Sequence, residues 1–263
     1  MIRRHIAPIL ANEALSAPGH FVLTLEAPDL AKSAQPGSFV AALAETGGER
    51  MLRKPFSVFT VEREKGIIQI LFSVYGPTTR AMSELVVGET LDMLGPLGGR
   101  LFTPDTRPGV HHIMVGGGYG VPPLNFLARE IKLADPTAKV TLIYGARHAS
   151  LLVGEDGLQG LGVDVIACTD DGSIGVPGRV TDGLEPIISE PGTYAVYTCG
   201  PTPMMKAVAL LSMEKQVACQ VSMETFMPCG VGICVGCALA LPDGTYARAC
   251  TDGPVFYAEE VAW

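Results

Sequence analysis

Hydrophobic and polar positions follow two different patterns along this chain. Up to about residue 103, short apolar runs rich in β-branched and aromatic residues alternate with turn residues, at 21–25, 38–40, 56–61 and 66–74. Short strands at this spacing predict a small antiparallel barrel or sandwich. One helix is predicted over 78–87, because Ala81, Met82 and Leu85 recur there at helical spacing.

The pattern changes after a stretch rich in Pro and Gly at 103–109, which predicts a linker. Apolar runs at 112–115, 140–144, 163–168 and 194–198 read as buried strands, and 124–133, 180–188 and 203–213 read as helices between them. This alternation predicts a parallel sheet with right-handed crossovers. A short cysteine-rich block follows. We therefore expect an α+β multidomain chain, with an antiparallel β-barrel at 1–103, an α/β parallel-sheet domain at 108–215 and a small C-terminal domain at 216–263.

Composition narrows the function classes. Hydrophobic residues make up 48% of the chain and charged residues 17%, which is enough apolar material for a sizeable core. The net charge of −8 argues against nucleic acid and anionic membranes as partners, because phosphate binding needs clustered Lys and Arg. The start of the chain has no continuous apolar segment of the signal-peptide type, so we expect a cytoplasmic protein. In that reducing compartment, seven cysteines are not expected to form a disulfide framework.

Four of those cysteines form a metal-binding pattern: Cys229-x4-Cys234-x2-Cys237-x12-Cys250. The first three have the spacing of plant-type [2Fe–2S] ligation, with the fourth further along. Glycines at 230, 232 and 236 let the backbone approach the inorganic sulfides, and 241–245 reads as the turn that returns the chain to the fourth ligand. The alternative is a zinc ribbon, which usually has two Cys-x2-Cys pairs where this chain has one.

Weaker signals suggest a flavin and a nicotinamide nucleotide. The segment 53–57 (R-K-P-F-S) offers a guanidinium for a pyrophosphate and a hydroxyl for a flavin ring edge, and 76–79 (G-P-T-T) begins a helix whose N–H groups can bind an anion. Glycines at 116–118 and 120 follow a strand and open a helix, as in a dinucleotide site, although their spacing is not G-x-G-x-x-G. Cys199-Gly200-Pro201 follows the next parallel strand. Each signal alone also has an explanation without a cofactor: a surface Arg, an ordinary N-cap or a tight turn.

Together, the R-x-P-F-S segment, the glycine-rich turn and C-G-P resemble the ferredoxin–NADP reductase superfamily. The stretches 223–237 and 250–256 are similar to the electron-transfer subunit of the NAD-linked, two-subunit dihydroorotate dehydrogenase. The resemblance covers essentially the whole chain, and its cysteine motif is highly specific. It implies an oxidoreductase of pyrimidine biosynthesis that passes electrons from an FMN-containing catalytic subunit, through [2Fe–2S] and FAD, to NAD⁺, in a heterotetramer of two subunits of each kind.

The resemblance also implies roles for individual residues. Cys229, Cys234, Cys237 and Cys250 would hold the cluster, and Cys199 would lie near the nicotinamide as a catalytic group. The expected FAD contacts are Arg53, Pro55, Phe56, Ser57, Ile70, Leu71, Phe72, Gly76, Pro77 and Thr78. Gly117, Gly118 and Gly120 would face the NAD pyrophosphate.

This sequence departs from the superfamily pattern at two positions. Phe56 stands where many members carry Tyr, and Pro77 stands where a small or charged residue is expected.

Asp170 and Asp171 follow the third strand of the α/β domain and would repel a 2′-phosphate, so we expect NAD despite the nearby Arg147. Two alternatives stay open. One is a reductase subunit of the same architecture that serves another flavoprotein, such as a sulfide- or glutamate-linked partner. The other is a non-redox, zinc-bearing interaction module.

Overall fold

The N-terminal half of the molecule is a seven-stranded antiparallel sheet. A computed structural model describes residues 2–44, 52–155 and 157–263. The strands are β1 (Arg3–Ala14), β2 (His20–Glu26), β3 (Phe39–Leu43), β4 (Lys54–Ser57), β5 (Thr60–Glu62), β6 (Ile67–Ser73) and β7 (Thr90–Leu97). Their order across the sheet is β4-β3-β7-β1-β2-β6-β5. Two short helices cover it, α1 (Pro28–Ser33) and α2 (Pro77–Glu84).

Alternating side chains explain why this sheet curls around a core. Along β1, Ala7 and Ile9 point inward and are almost fully buried, while their neighbours are exposed. The sheet bends far enough to bring β4 against β6, where the rings of Phe56 and Phe72 meet edge to face at 6.2 Å. The interior of this barrel is a single apolar cluster that Leu30 of α1 and Met82 of α2 complete.

The second half is an α/β unit. Its elements are β8 (His111–Gly117), α3 (Val121–Ala134), β9 (Lys139–Ala146), β10 (Asp164–Thr169), β11 (Val176–Pro177), α4 (Val180–Ile188), β12 (Tyr194–Cys199), α5 (Thr202–Glu214) and β13 (Ala218–Ser222), with 3-10 turns at Gly118–Gly120, Ala149–Leu151 and Gln159–Leu161. The six strands pair in parallel in the order β11-β10-β9-β8-β12-β13. Every residue of the central strand β8 is buried, because helices cover both faces of the sheet.

The cysteine-rich segment leaves this sheet and returns to it. A small hairpin of β14 (Ala238–Ala240) and β15 (Tyr246–Arg248) is followed by β16 (Val255–Tyr257), which pairs antiparallel with β13, and by a last 3-10 turn at Ala258–Glu260. Residues 223–254 are therefore an excursion between two neighbouring strands. In the described part of the chain, no helix is both long and apolar enough to cross a membrane.

The predicted fold class is confirmed, with differences in detail. The sequence pattern missed β1 and β7, and the apolar run 56–61 is two strands: β4 pairs with β3, and β5 pairs with β6. The predicted helix over 78–87 spans Pro77–Glu84. The parallel sheet continues past the expected boundary at residue 216, because β13 pairs with β12 along its whole length.

Candidate functional site

A cleft opens where the barrel meets the parallel sheet, and we call it the barrel cleft. Its volume is about 360 Å³, which is within the range of small-molecule and cofactor pockets. The barrel contributes residues from three strands, and the other wall comes from the ends of β12 and β13 and the segment after β13. Its lining includes Phe39, Pro55, Phe56, Ser57, Leu71, Phe72, Ser73, Tyr75, Tyr119, Cys199, Glu224, Thr225 and Met227.

Five of the ten predicted FAD residues line this cleft: Pro55, Phe56, Ser57, Leu71 and Phe72. They come from β4 and β6, which the curl of the sheet brings together. The mixture of aromatic rings and hydroxyl groups suits a flat heteroaromatic ring with polar edges, such as the flavin ring system.

The other predicted FAD residues lie elsewhere. The guanidinium of Arg53 donates to the Asp92 carboxylate at 2.8 Å and to the Asp92 carbonyl oxygen at 3.0 Å, and it does not reach the cleft. Ile70 is fully buried in the barrel core, because side chains on one strand alternate between the two faces. Gly76, Pro77 and Thr78 form the start of α2, directly after Tyr75 at the cleft wall.

A second cleft, which we call the sheet-edge cleft, lies at the carboxyl ends of the parallel strands. Its volume is about 590 Å³. Gly117 ends β8 and Gly118 follows it, Asp170 follows β10, and Arg147 and Arg179 lie at the same edge. Ligands of open α/β sheets bind at this edge, between strands whose connections run in opposite directions. The cleft is of a size and position that fit a dinucleotide.

Gly120 has a different part in this loop. A Cβ atom at Gly120 would stand 2.0 Å from the carbonyl oxygen of Cys199, so the glycine loop and the end of β12 are in direct backbone contact. Gly120 therefore holds two strand ends together and does not line the sheet-edge cleft. Only glycine permits that approach.

Cys199 lies at the wall of the barrel cleft, where its sulfur is 3.9 Å from a carboxylate oxygen of Glu224. Burial, and then the nearby Glu224 carboxylate, raise the pKa of the Cys199 thiol well above its ordinary value. The thiol is thus held neutral near physiological pH, which suits packing against a ring and not nucleophilic attack.

Glu224 is a site residue that the sequence reasoning missed. It presents surface to both clefts and is exposed there, while the protein packed around its carboxyl group raises its pKa by desolvation. Its position in the sequence could have indicated this role, because Glu224 is a lone carboxylate two residues after β13, at the ligand-binding edge of the sheet.

The four motif cysteines converge as two pairs. The sulfurs of Cys237 and Cys250 are 3.2 Å apart in a buried position. Two sulfurs on one tetrahedral metal are roughly 3.8 Å apart when each metal–sulfur bond is about 2.3 Å, so this pair is spaced close to the ligands of one iron. Within the described residues, no group of three or more His, Cys, Asp or Glu side chains is arranged to hold a single metal ion.

The second pair is Cys229 and Cys234. Burial alone would raise the pKa of the Cys229 thiol, but N–H groups of Cys234, Val231 and Ile233, together with the Cys234 thiol, lower it to about 6. Glycines 230 and 232 adopt φ values of +68° and +80°, which turn the chain so that these N–H groups point inward. The loop thus stabilises the thiolate of Cys229, and the set of four cysteine sulfurs fits a [2Fe–2S] cluster.

The cysteine loop packs directly on the barrel. Cys237 and Cys250 share an apolar cluster with Phe39, Leu97 and Met227. Phe39 and Met227 also line the barrel cleft. A single layer of side chains therefore separates the buried cysteine pair from the cleft that fits a flavin.

Comparison with known families agrees with this division of the chain. Residues 224–262 match the iron–sulfur cluster binding domain of dihydroorotate dehydrogenase B. Residues 114–209 match the oxidoreductase NAD-binding domain.

Similar proteins cover nearly the whole chain. The dihydroorotate dehydrogenase B (NAD(+)) electron transfer subunit of Desulforamulus reducens is 35% identical over 250 residues, which is 94% of each chain. The subunit of the same name from Caldanaerobacter subterraneus is 38% identical over 88% of each chain.

Solved structures share the fold of this chain. The NADH-dependent reduced ferredoxin-NADP oxidoreductase, studied for flavin-based electron bifurcation, superimposes with a TM-score of 0.84 at 31% identity, covering 98% of this chain and 90% of that one. A ferredoxin NADP⁺ reductase from Neisseria gonorrhoeae with bound FAD and NADP has the same fold, with a TM-score of 0.62 at 17% identity over 81% of this chain and 91% of that one. From the matched domains and the extent of these similarities, the chain belongs to the family of electron transfer subunits of NAD-linked dihydroorotate dehydrogenase B.

Proposed function

We propose that this chain takes electrons from a separate FMN-containing subunit that oxidises dihydroorotate and delivers them to NAD⁺, as a step of pyrimidine biosynthesis in the cytoplasm. The cluster would receive the electrons, and FAD, when bound, supplies the change from one-electron to hydride transfer. The observation that carries the proposal is the shared layer of Phe39 and Met227, which lines the barrel cleft and packs on two cluster cysteines.

Separate groups of residues in this chain would hold the cluster, the flavin and the nicotinamide. Four thiolates would hold the irons, and the loop N–H groups around Cys229 stabilise the negative charge there. Pro55, Phe56, Ser57, Leu71 and Phe72 would hold the flavin ring, with Cys199 and Glu224 on the opposite wall, where a nicotinamide would meet it. The start of α2 at Gly76–Thr78 is the expected contact of the FAD pyrophosphate, with Arg53 and Ile70 supporting the cleft from behind.

NAD is the proposed nucleotide. Asp170 lines the sheet-edge cleft, and its carboxylate would repel a 2′-phosphate but accept hydrogen bonds from ribose hydroxyls. Gly117 and Gly118 would face the pyrophosphate. A higher kcat/KM with NADPH than with NADH would contradict this choice.

The partner is proposed to dock on the cysteine loop. Cys234 is exposed, and the neighbouring side chains of Ile233 and Val235 are 81% and 55% exposed, so this tip has no cover from the described part of the chain. The heterotetramer is proposed from the resemblance to two-subunit enzymes of this kind.

The decisive experiment is reconstitution. The chain loaded with FAD and cluster is mixed with an FMN-containing dihydroorotate dehydrogenase subunit, and NADH formation from dihydroorotate is followed at 340 nm. We expect NADH only when both subunits are present. Two results would refute the proposal. One is a colourless protein that carries stoichiometric zinc. The other is a cofactor-loaded chain that reduces NAD⁺ with electrons from another flavoprotein but never with electrons from dihydroorotate.

A further inference from the structure

The two clefts share a boundary that is built from two side chains. Among the described residues that line them, Tyr119 and Glu224 belong to both. A nicotinamide that enters from the sheet-edge cleft and meets a flavin in the barrel cleft has to pass between these two residues. Whatever holds Tyr119 in place therefore controls that passage.

Tyr119 is held by the barrel, although it belongs to the glycine loop of the parallel sheet. Its hydroxyl group forms a hydrogen bond with the hydroxyl of Ser73 at the end of β6. Its ring stacks on His20 of β2, with centroids 5.9 Å apart and planes at 23°, and it also lies 6.5 Å from the ring of Tyr75. One side chain thus bridges the seam between the two halves of the molecule.

The loop around Tyr119 allows its ring to move while the backbone stays in place. At Gly117 an added Cβ would lie 2.7 Å from the sulfur of Met204, and at Gly120 it would overlap the backbone of Cys199. Gly120 is therefore fixed by close backbone packing, and Gly117 packs against a methionine side chain. Gly118, between them, has φ +54° and open space around it. Tyr119 carries the one large side chain of this loop, and it is 47% exposed, so the ring has room to swing.

We propose that Tyr119 is a gate between the two clefts: the contacts with Ser73 and His20 close the passage, and the nicotinamide ring of the dinucleotide displaces the tyrosine to reach the barrel cleft. The inference rests on the proposed function, because it needs a dinucleotide in the sheet-edge cleft. Part of the binding energy of the nicotinamide is then used to open the gate, so the closed form weakens dinucleotide affinity by the fraction of molecules that are open.

Two ligands separate gating from ordinary binding. ADP-ribose fills the sheet-edge cleft but has no nicotinamide, so it does not need an open gate, whereas NAD⁺ does. We would measure both dissociation constants by calorimetry on the FAD-loaded, oxidised protein. Tyr119→Phe removes one neutral hydrogen bond and should tighten NAD⁺ binding by about three- to tenfold. ADP-ribose affinity should stay the same.

Ser73→Ala removes the same hydrogen bond from the barrel side and should reproduce the selective gain, without adding to it in the double variant. Tyr119→Leu also removes the stacking on His20 and should give an equal or larger gain. FAD content and ADP-ribose affinity report on folding in each variant.

Three results would overturn the gate: unchanged NAD⁺ affinity in Tyr119→Phe, weaker NAD⁺ binding that marks the hydroxyl as a ligand, or an equal change for both ligands. If the parent protein binds neither ligand, the proposed function fails together with the gate. If the parent binds both and the variants do not differ from it, the gate alone fails.

Discussion

Replacing Gly120 with alanine tests how the glycine loop and the end of β12 form one site. The new Cβ would lie 2.0 Å from the carbonyl oxygen of Cys199 and 2.4 Å from the nitrogen of Gly200. These are backbone atoms of a buried strand end, so they cannot rotate away. Gly120 has φ −78° and ψ −10°, which alanine adopts freely, so steric overlap is the sole perturbation.

The size of the effect follows from the overlap. Ordinary contact begins at 3.4 Å, so the two backbones would have to separate by roughly 1.4 Å. Overpacking of this kind typically costs about 1–3 kcal/mol of stability, which corresponds to roughly 2–12 °C in Tm for a chain of this size. Because a displacement of about 1 Å can cost on the order of 100-fold in rate, we expect flavin reduction by NADH to slow by about two orders of magnitude.

The assay pairs thermal unfolding with stopped-flow reduction of the bound flavin. Gly160→Ala is the matched control: it is the same substitution, outside both clefts, where an added Cβ meets no atom within 4 Å. The control should keep its rate and gain or lose less than about 1 kcal/mol. If Gly120→Ala keeps the parent's Tm and rate, the close approach of the loop to Cys199 has no functional importance and our account of Gly120 is wrong.

Three further predictions follow from named contacts. Burial lowers the pKa of His111 from 6.5 to about 4. The free energy of unfolding is therefore highest above pH 6.5, where His111 is neutral in both states, and it falls by up to about 3 kcal/mol as the pH drops towards 4. Urea unfolding at pH 7 and pH 5 should show this loss, and His111→Asn should reduce it; an equal loss in both proteins would contradict the assignment. Cys250→Ser should abolish most of the bound iron and its visible absorbance, whereas Cys168→Ala, outside the motif, should retain both; iron retained by Cys250→Ser would remove it from the ligand set. Asp92→Asn should lower the free energy of unfolding by about 1–3 kcal/mol, because Arg53 loses a charged partner that is 17% exposed. Asp29→Asn, in an exposed pair with Arg3, should lower it by less than about 1 kcal/mol. Equal losses in the two variants would refute the distinction between the two ion pairs.

Local patterns predicted those features that depend on local spacing. Four of the six parallel strands, β8, β9, β10 and β12, and the helix α4 were predicted within a few residues, because each is a single apolar run with one periodicity. The cysteine motif depends on short spacings within one loop, and the structure brings its thiols together. The hairpin turn at 241–245 also forms, closed by the Leu241 N–H and its partner Thr245.

Features that depend on distant pairing were not visible in the sequence. β1 carries Pro8 and charged residues among its apolar positions, so its strand character depends on pairing with β2 and β7. The run 56–61 divides because its two ends pair with different neighbours. Arg53 was expected at a phosphate, but Asp92, 39 residues away, receives its guanidinium. Nothing near Arg53 in the sequence indicates that partner.

The cysteine-rich segment is fixed to both halves of the molecule, and this explains how a short loop can hold a redox centre at a defined place. Met223, at its start, donates to the carbonyl oxygen of Pro254, at its end, over 2.8 Å. Gly99 and Arg100, just after the barrel, both donate to the carbonyl oxygen of Gly253. The segment is thus closed at its base and joined to the barrel at the same point, while β16 joins it to the parallel sheet. Because the segment also supplies one wall of the barrel cleft, the cluster site and the flavin cleft are parts of one structure, and the cysteine loop is not an interchangeable module.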